Sequence, residues 1–223
     1  GLRPERRTEL LERPVAVRAR DPRVFPYLVA GFGLFSALGL IQILIGFLIQ
    51  DRFALTGEQT GIATGGTMLG AGIGMVIAQA VIVPKIRFSP PALIRLGAPI
   101  AMLGFLAILV DLPLWSLVTA VFLVGVGMGI ATPGYMAGPT LRVRPDEQGG
   151  LAGLIGATNG LTFVVTPTAG TALYALWQPL PMIAGAALLG TVALLAFLHP
   201  AFRTSAGPGV PAGPEAPDEA ALP

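Results

Sequence analysis

Three observations predict an all-α transmembrane fold, a bundle of six membrane-crossing helices. Apolar residues make up 53% of the chain and charged residues only 12%, against about 25% charged in ordinary soluble domains. Between Phe25 and Pro200 the charged residues fall in four short gaps, at residues 51–58, 85–95, 111 and 142–147, and the uncharged runs between them approach or exceed the ~20 residues that carry a helix across a bilayer. Lys and Arg gather in alternate gaps, which marks a cytoplasmic face.

The chain divides into a basic cytoplasmic lead-in at 1–24, a transmembrane bundle at 25–199 and a cytoplasmic tail at 200–223. The lead-in carries seven arginines among Glu5, Glu9, Glu12 and Asp21 and reads either as an amphipathic helix over 6–15 or as a solvated linker. The first span is expected at 25–50, with Gln42 deep inside it, and a polar loop at 51–59 leads to a glycine-rich second span at 61–84 that holds Gln79. A tight basic turn at 85–91 ends in Ser89, Pro90 and Pro91, and proline suits the first turn of a helix. The third span follows at 92–110; Arg95, one turn inside it, is expected to snorkel to the headgroups. A short turn at Asp111 opens the fourth span, 114–136, and a polar loop at 142–148 precedes the fifth, 150–176. The run WQPLP at 177–181 breaks what would otherwise be one overlong helix, because Pro179 and Pro181 lack amide donors and disfavour helix before them. The sixth span is 181–198. The Ala-, Pro- and Gly-rich tail has too little apolar surface to order itself.

Six spans place both ends on one side. That side holds Arg3, Arg6, Arg7, Arg13, Arg18, Arg20, Arg23, Lys85, Arg87, Arg95, Arg142, Arg144 and Arg203, and the opposite side holds Arg52 alone out of 14 basic residues. A wrong span count would have scattered them, so both termini are expected in the cytoplasm of a multi-pass protein of the plasma or inner membrane.

The same composition excludes several chemistries. With no Cys, disulfides and thiolate metal sites are ruled out, and with a single histidine, His199, so is a multi-histidine metal site. The basic residues form no groove-lining stripe, so nucleic acid is not an expected partner. No nucleophile–base arrangement, phosphate loop or metal spacing is present; no enzymatic activity, cofactor or metal is expected. Asp146 and Glu147 sit beside Arg142 and Arg144 and read as a solvated charge cluster, and His199 as an interfacial side chain.

The order of the loop motifs carries a resemblance. TGEQTG at 56–61 leads into the glycine-rich span, VPKIRFSP at 83–90 is followed by LIRLG at 93–97, and RPDEQG at 144–149 is followed by AGL at 152–154. Together these resemble the C-terminal half, spans seven to twelve, of a major facilitator superfamily transporter of the drug and tetracycline efflux branch. The resemblance implies one half of a twelve-helix fold with substrate bound between two halves near the midplane. It makes an N-terminal six-span half the expected partner, alongside membrane lipid and a small-molecule substrate. In the fifth span, Gly160 to Gly170 with Pro167 is similar to the family's Gly/Pro antiporter motif, with Thr166 where that motif has Gly.

Within the spans, Gly125, Gly129 and Gly134, like Gly66, Gly70 and Gly74, recur at four- or five-residue spacing, which lets helix backbones approach closely. Pro133 and Pro167 free a backbone carbonyl and bend a helix. Packing and fixed kinks are the plain readings; gating in alternating access is the functional one, which makes Pro133, Pro167, Gly129 and Gly160 gating candidates. Uncharged polar groups at membrane depth must meet a neighbour or a wet cavity. By resemblance, spans seven and ten border the cavity most directly, favouring Gln42, Thr132 and Tyr135; spans eight and eleven come next, favouring Gln79, Asn159 and Thr162. No Asp, Glu, Lys or Arg lies deep in any span, so ion coupling, which needs a titratable group inside the protein, is assigned to the N-terminal half. The expected function is secondary transport, efflux of small amphipathic or drug-like compounds by alternating access. The alternatives are a non-transporting six-span scaffold and an uptake transporter of the same superfamily.

Overall fold

The computed structural model describes residues 17–111 and 113–203. The lead-in helix expected over 6–15, Leu112 and the tail beyond Arg203 lie outside the described residues. Among the described residues, six helices are long and apolar enough to cross a membrane, as the sequence predicts. Helix α1 covers Phe25–Phe53, with Pro26 in its first turn, and stops where Ala54 turns left-handed at φ 51°. The second span is continuous from Gly57 to Ile86: α2 (Gly57–Ile77), a π-helical turn (Ala78–Ile82) and α3 (Val83–Ile86). Pro84 stands just after the π turn, and a proline in a helix forfeits one backbone bond; Gln79 lies within this widened turn. Then come α4 (Pro90–Ile108), α5 (Leu114–Thr140), a 3-10 turn (Pro145–Glu147) leading into α6 (Gln148–Leu176), α7 (Leu180–Leu198) and a terminal turn α8 (Pro200–Arg203).

Several expectations need correction. The polar loop expected at 51–59 shrinks to residues 54–56, because α1 runs on through Asp51 and Arg52 and α2 starts early. Thr56 caps α2 reciprocally: its Oγ1 accepts from Gln59 N at 3.4 Å and its N–H donates to Gln59 Oε1 at 3.2 Å. Arg95, expected to snorkel, is tied to main chain at the end of the bundle. Its guanidinium donates to Ala196 O of α7 at 2.7 Å and to Phe202 O of α8 at 3.0 Å, satisfying carbonyls that helix ends leave without partners. The start of the tail is likewise ordered: Phe202 is 1% exposed and its ring lies 4.5 Å from Tyr27. Pro99 joins Pro133 and Pro167 as a proline inside a continuous span.

The main core is built from Leu34, Ile41 and Ile45 of α1, Ile94 and Phe105 of α4, Met128 of α5 and Leu189 of α7. Helix α5 lies between α2 and α4, and both crossings run through glycine. A Cβ on Gly129 would sit 2.7 Å from Ala78 Cβ and 2.8 Å from Met75 O of the second span, while one on Gly127 would sit 2.6 Å from Gly97 O of α4. Gly125 abuts the backbone of Ala71, and Gly134 that of Pro90. Gly66, expected in the same packing stripe as Gly70 and Gly74, has nothing within 4 Å. Helix α4 also packs on α7, with Gly185 beneath the Phe105 ring, and α7 packs on α1, with Val192 over Gly33. Since lipid is as apolar as leucine, close backbone approach replaces the hydrophobic effect as the source of helix association.

Gly127→Ala is expected to lower the melting temperature in detergent, measured by fluorescence-detected size exclusion. The added methyl meets backbone that cannot rotate away, an overpacking worth about 1–3 kcal/mol. Gly57→Ala, whose Cβ would meet nothing within 4 Å, should leave the melting temperature unchanged or raise it.

Candidate functional site

Tyr135, near the end of α5, is 0% exposed. Its ring packs against Gly31 of α1 and stands 5.8 Å from the Phe35 ring at 61°, the edge-to-face arrangement aromatic quadrupoles favour. Its hydroxyl donates to Asn159 Oδ1 on α6 at 3.1 Å. Thr162, buried one turn further along α6, donates to Asn159 O at 2.6 Å. Three of the six predicted cavity residues, Tyr135, Asn159 and Thr162, thus meet where α1, α5 and α6 converge. Thr132 lies one turn before Tyr135, half-buried, with its hydroxyl on Met128 O of its own helix at 2.7 Å. Gln42 and Gln79 are exposed, and neither makes a hydrogen bond among the described residues.

The gating candidates separate in the same way. Pro133 is half-buried beside Thr132 on α5. Pro167 is half-buried on α6 next to Thr166, whose Oγ1 is buried without a partner. Gly160 faces open space directly after Asn159, whereas Gly129 is occupied by the crossing with the second span.

Helix α6 meets α1 along Thr162, Thr166 and Gly170, its buried positions after Leu151. Gly39 of α1 admits Thr166 Cγ2, and Leu40 and Leu44 close over Gly170. Polar joints tie the pair at both ends. At one end Arg23 donates to Asp21 at 2.7 Å and to Glu147 at 3.1 Å, and Glu147 also accepts from Arg144 N at 2.9 Å. At the other, Tyr174 of α6 donates to Asp51 of α1 at 2.6 Å, receives Gln178 Nε2 at 3.1 Å and lies 6.2 Å from the Phe47 ring. The two helices therefore run parallel. Beside Asp51, Arg52 donates to Ile108 O at 3.0 Å and Val110 O at 3.3 Å, capping α4.

Sequence reasoning missed these joints. Glu147 is not a solvated member of a charge cluster: its side chain is 11% exposed and paired with Arg23 across the bundle. Only Asp146, facing Arg144 at 3.1 Å, remains a surface pair. The hydrogen bond from Arg23 holds the Asp21 carboxyl below its ordinary range, opposed by partial burial. Because the folded value is the depressed one, this link is intact above the usual carboxylate range and is lost as pH falls through the lowered value. A signal for the second joint was available in Tyr174, a phenol in an otherwise apolar stretch, which needs a partner when covered.

Six apolar helices packed through glycines, with polar side chains converging inside, define a multi-pass helical membrane protein. Residues 18–221 match the Major Facilitator Superfamily, and the chain belongs to that family of membrane transporters. It is 32% identical over 158 residues to the puromycin resistance protein pur8 of Streptomyces alboniger; the alignment covers 66% of this chain and 31% of that protein. The chain thus matches about a third of that relative's length.

Arg23→Ala should loosen the start of α6 without unfolding the bundle. Hydrogen–deuterium exchange is expected to rise at residues 145–151 while the α4–α5 crossing stays protected.

Proposed function

We propose that this chain is the C-terminal six-span half, spans seven to twelve, of a drug-efflux transporter of the tetracycline-like branch, exporting small amphipathic compounds by alternating access. The observation that carries the reading is the unequal burial of the spans. In α1, α4, α5 and α7, 44–56% of the most apolar window is buried inside the chain, but in the spans of α2 and α6 only 17% is. The bare faces are rich in glycine: Gly61, Gly65, Gly66 and Gly72 on α2, and Gly153, Gly156 and Gly160 on α6, have nothing within 4 Å. Small residues in membrane helices mark surfaces where another helix comes close, so the occupant of these faces is the N-terminal six-span half. Between them, Gln42, Gln79, Thr132 and Asn159 line this half's share of the cavity, with Tyr135 and Thr162 buried behind Asn159 and holding it. Pro133 and Pro167, with Gly160, supply bends beside it.

The similarity to a puromycin resistance protein supports efflux of a drug-like compound. Ion coupling falls to the partner half, because this chain places no Asp, Glu, Lys or Arg deep in a span. The protein sits in the plasma or inner membrane with the Arg23–Glu147 end in the cytoplasm, as the distribution of its basic residues requires.

In proteoliposomes, this chain joined to its partner half is expected to drive uphill movement of puromycin when an ion gradient is imposed. Flux that ignores the gradient for puromycin and for a panel of lipophilic drugs would remove the proposal. Orientation is tested separately. The chain has no cysteine, so single substitutions report sidedness. Arg144→Cys should react with a membrane-impermeant maleimide only in inside-out vesicles, and Asp111→Cys only in intact cells.

A further inference from the structure

We infer that Phe35 and the amide hydrogens of Asn159 form the recognition element of this cavity, selecting planar aromatic groups that carry a hydrogen-bond acceptor. This rests on the transport reading above and adds to it a residue, Phe35, and a substrate chemistry.

Asn159 is held by its oxygen. Tyr135 is completely buried and donates its one phenolic proton to Asn159 Oδ1, while Thr162 holds the Asn159 backbone carbonyl. A carboxamide has two donors on nitrogen as well. Those on Nδ2 make no hydrogen bond among the described residues, and the atom is not among the buried unpartnered ones. It is therefore accessible from the half-buried side of α6, and its orientation is set by the bond on the other side of the amide. A donor left unmatched in a dry site costs about 1–3 kcal/mol, so a substrate bearing a carbonyl, ether or ring nitrogen there is favoured over one without it.

Phe35 supplies the second contact. It is half-buried and braced edge-to-face by Tyr135, whose hydroxyl holds the amide, so part of the ring is left uncovered by this chain. Aromatic pairing contributes about 0.5–1.5 kcal/mol beyond area burial, which distinguishes a planar ring from an aliphatic chain of equal size. Gln42 lies two turns further along the same face of α1, about 10 Å away at helical rise, and offers another unpaired amide. Residues 25–50, 114–140 and 148–176 contain no Asp, Glu, Lys or Arg, so this half recognises the group by shape and hydrogen bonding and provides no counter-charge.

The test is equilibrium dialysis on the purified protein assembled with its partner half. The probes are radiolabelled puromycin, whose purine ring carries nitrogen acceptors, and dodecyltrimethylammonium, which has neither ring nor acceptor. Phe35→Leu and Asn159→Leu should each weaken puromycin binding about tenfold, the equivalent of ~1.4 kcal/mol. Both should leave dodecyltrimethylammonium unchanged, and Phe35→Tyr should retain puromycin. Equal weakening of both probes, unchanged puromycin binding in Phe35→Leu, or no puromycin binding by the unsubstituted protein would each overturn the inference. Puromycin flux measured on the same preparation keeps the two proposals apart: the expected binding pattern without gradient-driven flux removes the transport reading and leaves the recognition element standing.

Discussion

The position of α5 between the second span and α4 is the constraint on which the rest of the bundle depends. In hydrocarbon, apolar side chains gain nothing by leaving lipid for protein, so helices associate where their backbones come close enough for dispersion to add up. Gly125 and Gly129 turn one side of α5 to the second span, and Gly127 and Gly134 turn the other to α4. Contacts at that distance admit little sliding, since a methyl on either side would strike main chain. Once α5 is held there, Tyr135 is carried to the point where α1 and α6 approach, and the polar cluster around Asn159 follows.

The pairing of α1 with α6 is built differently. Its middle is a modest seam of Gly39, Thr166, Leu40, Leu44 and Gly170, and its ends are joined by Arg23 with Glu147 and by Asp51 with Tyr174. Water at the two membrane surfaces lowers the desolvation cost of charged joints there, whereas the centre carries only neutral groups. The result is a helix, α6, that is fixed along one line and bare over most of its circumference, as a surface awaiting a second half would be. In the proposed transporter, a substrate between the halves would meet Phe35 and Asn159 from that uncovered side.

Much of this was legible in the residues. The spacing of Asp51, Lys85, Asp111 and Arg142 marks the ends of the spans, and Trp177 to Pro181 marks the break before the last one. Asn159 and Thr162 stand out as polar groups that hydrocarbon would penalise, and the family resemblance pointed to Tyr135; these three are brought together. Other residues misled for identifiable reasons. Thr56 and Gln59 cap α2 through their side chains, which pulled its start into an expected loop. Arg95 meets the carbonyls of Ala196 and Phe202, 101 and 107 residues away in sequence. Gly66 shares the spacing and face of Gly70 and Gly74, but no neighbouring helix comes within 4 Å of it. Glu147 looked solvated beside Arg144 because its true partner, Arg23, is 124 residues away in sequence.

By itself, then, the amino-acid order determined the number of spans, their limits to within a few residues and the sharing of basic residues between two surfaces. The reason is that lipid cannot hydrogen-bond the backbone, so every crossing segment must be a helix whatever its neighbours are. Which faces of those helices meet was decided only by the tertiary structure. Lipid and protein interior are both apolar, so the inward and outward sides of a membrane helix carry no contrast for periodicity to reveal. The partners of Gly127, Asn159 and Asp51 lie on other helices and that of Glu147 in the turn before α1, and they appear only when the six are packed.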